Sequence, residues 1–78
     1  MVADFPAGTR VRIVGPEILA GFQRPQWQLH HPIADEQLPY ASTSTIVTNV
    51  FYYHGGDELY ELQDVPGLWH EACLEVAP

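Results

Sequence analysis

Histidine and cysteine are the residue types in this chain best suited to metal or nucleophilic chemistry, and their spacing indicates neither. His30 and His31 are adjacent, so on a strand they would point to opposite faces and could not hold one metal ion. His54 and His70 show no metal-ligand spacing. Cys73 is the one cysteine, without a CxxC partner or a His-Asn or His-Asp context. We therefore predict separate surface histidines, a structural thiol, no catalytic residue, no metal and no cofactor.

Neighbouring carboxylates could in principle act as a general acid and a general base. Asp35 with Glu36 and Asp57 with Glu58 are such pairs. Acid–base work requires surroundings that separate the two pKa values, whereas both pairs lie in stretches typical of wet loops and hairpin tips. We interpret them as solvated surface residues. Gly55-Gly56 lacks a following helix and a lysine, so it does not predict a phosphate-binding loop.

Aromatic side chains are the residues from which we predict a function. Phe51, Tyr52 and Tyr53 are consecutive, and successive strand residues face opposite sides, so they cannot all enter one core. Either the loop that carries Trp27 covers the remaining aromatic face, or that face is an interface, where Tyr and Trp are enriched. The predicted interface residues are Trp27, Phe51, Tyr52, Tyr53, Tyr60 and Trp69.

Short strands must position these residues. Val11 and Ile13 alternate with arginines, which is the period of a strand with one wet face. β-branched and aromatic residues fill 45–53, and Gly55-Gly56 predicts a hairpin with the strand that follows. A turn at Pro66-Gly67 precedes the next strand. The predicted strands are residues 9–14, 45–53, 58–63, 68–71 and 74–76, with one tight turn at 71–74.

Residues 15–44 lack a regular pattern and hold four prolines. We predict a long ordered loop that folds over the core, because it contains large apolar and aromatic residues that include Phe22, Trp27, Leu29, Ile33, Leu38 and Tyr40. Residues 17–22 could form one helical turn, and part of the loop could be a strand around 27–30. The whole chain, 1–78, is predicted to be one all-β domain.

Charge is the sharpest compositional signal. Ten acidic residues face three arginines, lysine is absent, and the net charge is −7. Duplex affinity comes largely from Lys and Arg that neutralise phosphates, so nucleic acid is an unfavoured partner. No stretch reads as a membrane span or a secretory signal. With one cysteine and hence no intrachain disulfide, we expect a cytoplasmic protein.

The layout resembles SH3-like small β-barrels, and the ending Trp69-His70-Glu71 with Leu74-Glu75 is similar to the W-H-E-x-x-L-E ending of many such domains. Related layouts occur in the barrel of nitrile hydratase β-subunits and in small phage or mobile-element proteins. The resemblance implies a five-stranded barrel with a long loop after strand 1. The ALYDY segment of peptide-binding SH3 domains and the V-Q-I-Y pore segment of type II dihydrofolate reductases have no counterpart, so neither activity carries over.

We predict a non-catalytic binding or adaptor module, because an aromatic hairpin and a long loop are present without a catalytic constellation. Its partner would be another protein, with a basic surface favoured by charge, or a second copy of the chain. The alternative is a small homo-oligomeric enzyme or ligand carrier with its site between subunits. A weaker alternative is an accessory barrel on a larger enzyme.

Overall fold

The computed structural model of the protein describes residues 4–24, 32–52 and 58–77. Five strands and three short helices follow one another along this part of the chain. They are β1 Arg10–Ile13, α1 Pro16–Gly21, a first 3₁₀ helix Asp35–Tyr40, β2 Ser44–Tyr52, β3 Glu58–Leu62, β4 Val65–His70, a second 3₁₀ helix Glu71–Cys73 and β5 Leu74–Val76.

The strands form an antiparallel sheet in the order β4-β3-β2-β1-β5. The predicted all-β class and the five strands are confirmed. The sheet is open rather than a clearly closed barrel, with β4 and β5 as its edges among the described residues. No helix in the described ranges is long and apolar enough to cross a membrane.

β1 follows its sequence pattern closely. Val11 and Ile13 are fully buried, while Arg10 is exposed and Arg12 is half-buried. Arg12 lies 3.8 Å from the Glu75 carboxylate across the β1–β5 pair. Both side chains are 43% exposed, so water screens this ion pair and it stabilises the fold little. Apolar burial on the other face of β1, together with its pairing with β2 and β5, holds the strand in place.

β2 and β3 form the predicted antiparallel pair. Val50 pairs with Tyr60 and Tyr52 pairs with Glu58, with an irregularity between Val47 and Asn49. β-branched residues concentrate in β2, where they suit a pleated surface. The predicted Gly-Gly turn lies in residues 53–57, outside the described residues.

The predicted turn at Pro66-Gly67 is wrong. The chain turns instead at Gln63 and Asp64, and both Pro66 and Gly67 lie within β4. Leu62 pairs with Val65 and Glu61 with Leu68. Pro66 and Gly67 lie between these two pairs and have no paired residue in β3, so they form an irregularity in β4. Proline lacks an N–H and is tolerated where pairing is interrupted. Gly67 has a φ of 84°, which a residue with a side chain rarely adopts.

The connection 15–44 is more regular than the sequence pattern indicates. It contains α1, which begins at Pro16 as helices often do, and the first 3₁₀ helix. Leu19 and Ile33 enter the core, and Leu38 and Tyr40 pack against it. The described parts of this connection therefore cover the sheet as predicted. The strand predicted around 27–30 lies outside the described residues.

One apolar cluster joins the sheet to this connection. Its largest fully buried side chains are Trp69, Tyr60, Ile13 and Leu19. The indole N–H of Trp69 donates to the Pro66 carbonyl at 3.2 Å, which satisfies the one polar atom of that ring.

Candidate functional site

Phe51 and Tyr52, at the end of β2, are the exposed members of the predicted aromatic interface. Phe51 is 43% exposed and Tyr52 55% exposed. Paired residues project to the same face of a sheet, so Phe51 shares the face of Leu59 and Tyr52 shares that of Glu58. The two rings therefore project to opposite sides of the strand end, as the alternation of strand residues requires.

Tyr60 and Trp69 lie elsewhere, and their predicted position on the interface needs correction. Both side chains are fully buried, because they pair with each other and with Val50 on the core face of the sheet. A partner cannot contact them while the fold is intact. Trp27 and Tyr53, the other two predicted interface residues, lie outside the described residues.

Three carboxylates from distant parts of the chain meet beside Tyr60. Carboxylate oxygens of Asp4, Glu58 and Glu71 lie within 4.8 Å of one another. Glu58 is only 5% exposed, which corrects its predicted place on a solvated surface. Its Oε1 accepts hydrogen bonds from the Tyr60 hydroxyl at 2.5 Å and from the Asp4 backbone N–H at 3.0 Å. These bonds compensate for the water that the buried carboxylate loses.

The same contacts hold the segment that precedes β1. The Phe5 N–H donates to the Tyr60 hydroxyl at 3.3 Å. The Phe5 ring meets the Tyr60 ring edge-to-face, with centroids 5.5 Å apart. Burial, and then the hydrogen bond to Glu58, raise the pKa of Tyr60 well above its ordinary value. Tyr60 therefore stays neutral and links the segment before β1 to β3.

Burial also raises the pKa of Glu71, and a side-chain hydrogen bond with Asp4 raises it further. The Glu71 Oε1 accepts from the Glu58 backbone N–H at 3.4 Å. Oxygen ligands in this arrangement are of the kind that a hard cation takes. A shared proton would satisfy the same cluster, and Glu58 Oε1 already has two donors. The cluster therefore attaches the segment that precedes β1 to the sheet.

Of the other residues considered for chemistry, His30, His31, His54 and Asp57 lie outside the described residues. Asp35 and Glu36 are exposed, as predicted. His70 is 5% exposed, so the prediction of a surface histidine is wrong for it. Its Nδ1 accepts from the Ala72 N–H at 3.0 Å and caps the second 3₁₀ helix. Cys73 is fully buried, and this burial raises the pKa of its thiol to about 12, as expected of a structural thiol.

An open groove of about 710 Å³ lies between the first 3₁₀ helix and the β3–β4 turn. Three of the residues that line the groove are apolar or aromatic: Leu62 and Val65, which are buried, and Tyr40, which is half-buried. Two exposed acidic residues, Glu61 and Asp64, also line it. The groove thus combines apolar surface with negative charge.

Comparison with known protein families, with curated proteins and with solved structures found no match to this chain.

Sequence reasoning missed both the carboxylate cluster and the groove. Asp4 lies 54 residues from Glu58 along the chain, and only the docking of the N-terminal segment onto β3 brings them together. The groove depends on the position of the β3–β4 turn, which the Pro66-Gly67 signal misplaced. One signal was present in the sequence: Glu58 and Tyr60 are two residues apart, so on a strand they share a face.

Proposed function

We propose that this chain is a non-catalytic binding module that contacts a protein partner at the end of β2. The observation that carries the proposal is the pair of adjacent aromatic side chains, Phe51 and Tyr52, left about half exposed there. Ile18 and Val76 are also exposed, but each stands in a different element. Isolated apolar residues are common on protein surfaces, whereas aromatic side chains, Tyr among them, are enriched in binding sites.

The rings favour a partner that covers the strand end rather than one flat face. Phe51 and Tyr52 project to opposite sides of β2, so a partner must wrap around residues 51–52 to bury both. The net charge of −7 favours a partner with a basic surface, because opposite fields accelerate encounter.

An SH3-like barrel is the fold family that we propose for this module. The antiparallel order β4-β3-β2-β1-β5 supports it, as do the long connection after β1 and the short 3₁₀ helix before β5. Function in such a scaffold belongs to the surface that each chain presents, not to the fold.

Site-specific photo-crosslinking tests the proposed surface. Phe51 or Tyr52 is replaced by p-benzoylphenylalanine, and the protein is irradiated inside the cells that naturally produce it. Ile18 is the matched control, because its apolar side chain is 61% exposed in another element. We expect one discrete adduct from positions 51 and 52 and none from position 18. Equal adducts at all three positions, or none at 51 and 52, would contradict the proposal.

An adduct with the mass of two chains would instead favour self-association. That result would support the alternative of a small homo-oligomeric enzyme or ligand carrier with its site between subunits. Light scattering from micromolar to millimolar concentration then measures whether the untreated protein associates. A monomer over the whole range would argue against that alternative.

A further inference from the structure

We propose that the groove between the first 3₁₀ helix and the β3–β4 turn binds an arginine-containing extended segment of a protein partner. This site is separate from the β2 end. Tyr52 pairs with Glu58 at one end of the β2–β3 ladder, and Leu62 pairs with Val47 near the other. The proposal therefore does not rest on the aromatic surface.

Negative charge is the first observation that selects this occupant. Glu61 and Asp64 both line the groove and both are exposed. The chain has no lysine and three arginines. None of the arginines (Arg10, Arg12 and Arg24) lines the groove. A cation in the groove would thus meet carboxylates without competition from a resident arginine.

The fixed position of the Glu61 carboxylate is the second observation. The Asn49 side-chain amide donates to Glu61 Oε1 at 2.7 Å and holds that carboxylate in position. Asp64 sits at the turn with a φ of 60°, a conformation that Asp tolerates better than most residues. The pre-positioned Glu61 carboxylate loses less side-chain entropy when it binds a cation.

Apolar surface beside the charge favours arginine over a small cation. Tyr40 and Pro66 line the same groove as Leu62 and Val65. The methylene stem of arginine can pack on such surface while its guanidinium reaches a carboxylate. A guanidinium also binds carboxylates through two parallel hydrogen bonds and stacks on aromatic rings, which an ammonium does less well. The volume of about 710 Å³ is large enough for such side chains.

Fluorescence anisotropy with a labelled Gly-Arg-Gly-Arg-Gly peptide tests the proposal on the full chain. The comparison peptide replaces both arginines with citrulline, which has a similar shape and no charge. The test variant is Glu61→Gln with Asp64→Asn. Gln can still accept from Asn49, and Asn tolerates the positive φ of the turn, so the fold should survive, which circular dichroism checks.

The control variant, Glu17→Gln with Glu36→Gln, removes the same charge from exposed positions outside the groove. We expect the groove variant to bind the arginine peptide about tenfold more weakly than wild type, a change of about 1.4 kcal/mol. The control should change binding less than about twofold, since exposed charges that do not line the groove are screened by salt. The citrulline peptide should bind no better to wild type than to the groove variant.

Backbone amide NMR locates the peptide independently of affinity. Shifts should concentrate in residues 61–67, and they should persist in a Phe51→Ala variant. The proposal is overturned if wild type does not bind the arginine peptide, if citrulline binds equally well, or if both charge variants weaken binding equally. Failure here leaves the crosslinking result at Phe51 unaffected, so the two proposals are tested separately.

Discussion

At the scale of single residues, the main feature is a set of carboxylates placed close together. Burial of Glu71 and its side-chain hydrogen bond with Asp4 both favour the protonated form of Glu71. Its electrostatic interaction with His70 favours the ionised form. A carboxyl whose pKa is raised by folding binds protons more tightly in the native than in the unfolded state. Its contribution to the free energy of unfolding is therefore complete below its ordinary pKa of 4.5 and decreases as the pH rises through the raised value.

We expect the Glu71→Gln variant to lose less stability than wild type as the pH rises from about 4.5 towards neutrality. The neutral amide can still accept from the Glu58 N–H, but it cannot acquire the negative charge that Asp4 and Glu58 disfavour. Urea unfolding across this pH range measures the effect. Glu36→Gln, at an exposed position, should run parallel to wild type. If the Glu71→Gln curve is parallel as well, Glu71 does not link protonation to stability.

At the scale of elements, one buried glutamine joins the first 3₁₀ helix to β4. Gln37 is 4% exposed. Its Oε1 accepts from the Ala34 N–H at 2.9 Å, and its Nε2 donates to the Leu68 carbonyl at 3.0 Å. The side chain passes directly over Gly67, where an added Cβ would lie 2.7 Å from Nε2. The irregularity in β4 and the packing of the 3₁₀ helix therefore depend on each other.

We predict that Gly67→Ala destabilises the protein by about 2 kcal/mol, from strain at positive φ together with displaced hydrogen bonds. Gly21→Ala is the matched control, because a Cβ there meets nothing within 4 Å. That variant should be neutral or up to about 1 kcal/mol more stable, since Ala favours helix over Gly. Equilibrium urea unfolding compares both with wild type. Equal stability of the two variants would contradict the role of Gln37 over Gly67.

At the scale of the whole molecule, charge selects the class of partner. The net charge is −7, and three arginines are the permanently charged basic side chains. Two of them, Arg10 and Arg12, lie in β1, and Arg12 is paired with Glu75. The long-range field therefore attracts basic partners and repels polyanions.

We expect no binding to a labelled DNA duplex up to about 100 µM protein at about 50 mM salt, conditions under which phosphate contacts are strong. Fluorescence anisotropy measures this, with the arginine peptide as the positive comparison in the same buffer. Saturable duplex binding that weakens with added salt would show that local arginines outweigh the net charge.

Local patterns predicted the strands well because each pattern has a local physical cause. The alternation around Val11 and Ile13 predicted β1, and the β-branched run before Tyr52 predicted β2. Pro66-Gly67 misled because the same two residues suit a turn and an interrupted strand. Only the pairing of Leu62 with Val65 decided between them.

The sequence by itself determined the all-β class, the excess of negative charge and the presence of consecutive aromatic residues that cannot all face one core. These follow from composition and from the two-residue period of strands. Only the tertiary structure decided that Tyr60 and Trp69 are core residues while Phe51 and Tyr52 stay exposed. It also brought Asp4 to Glu58 and opened the groove beside Asp64. Burial and proximity arise from contacts between residues distant in the chain, and a local pattern does not specify those contacts.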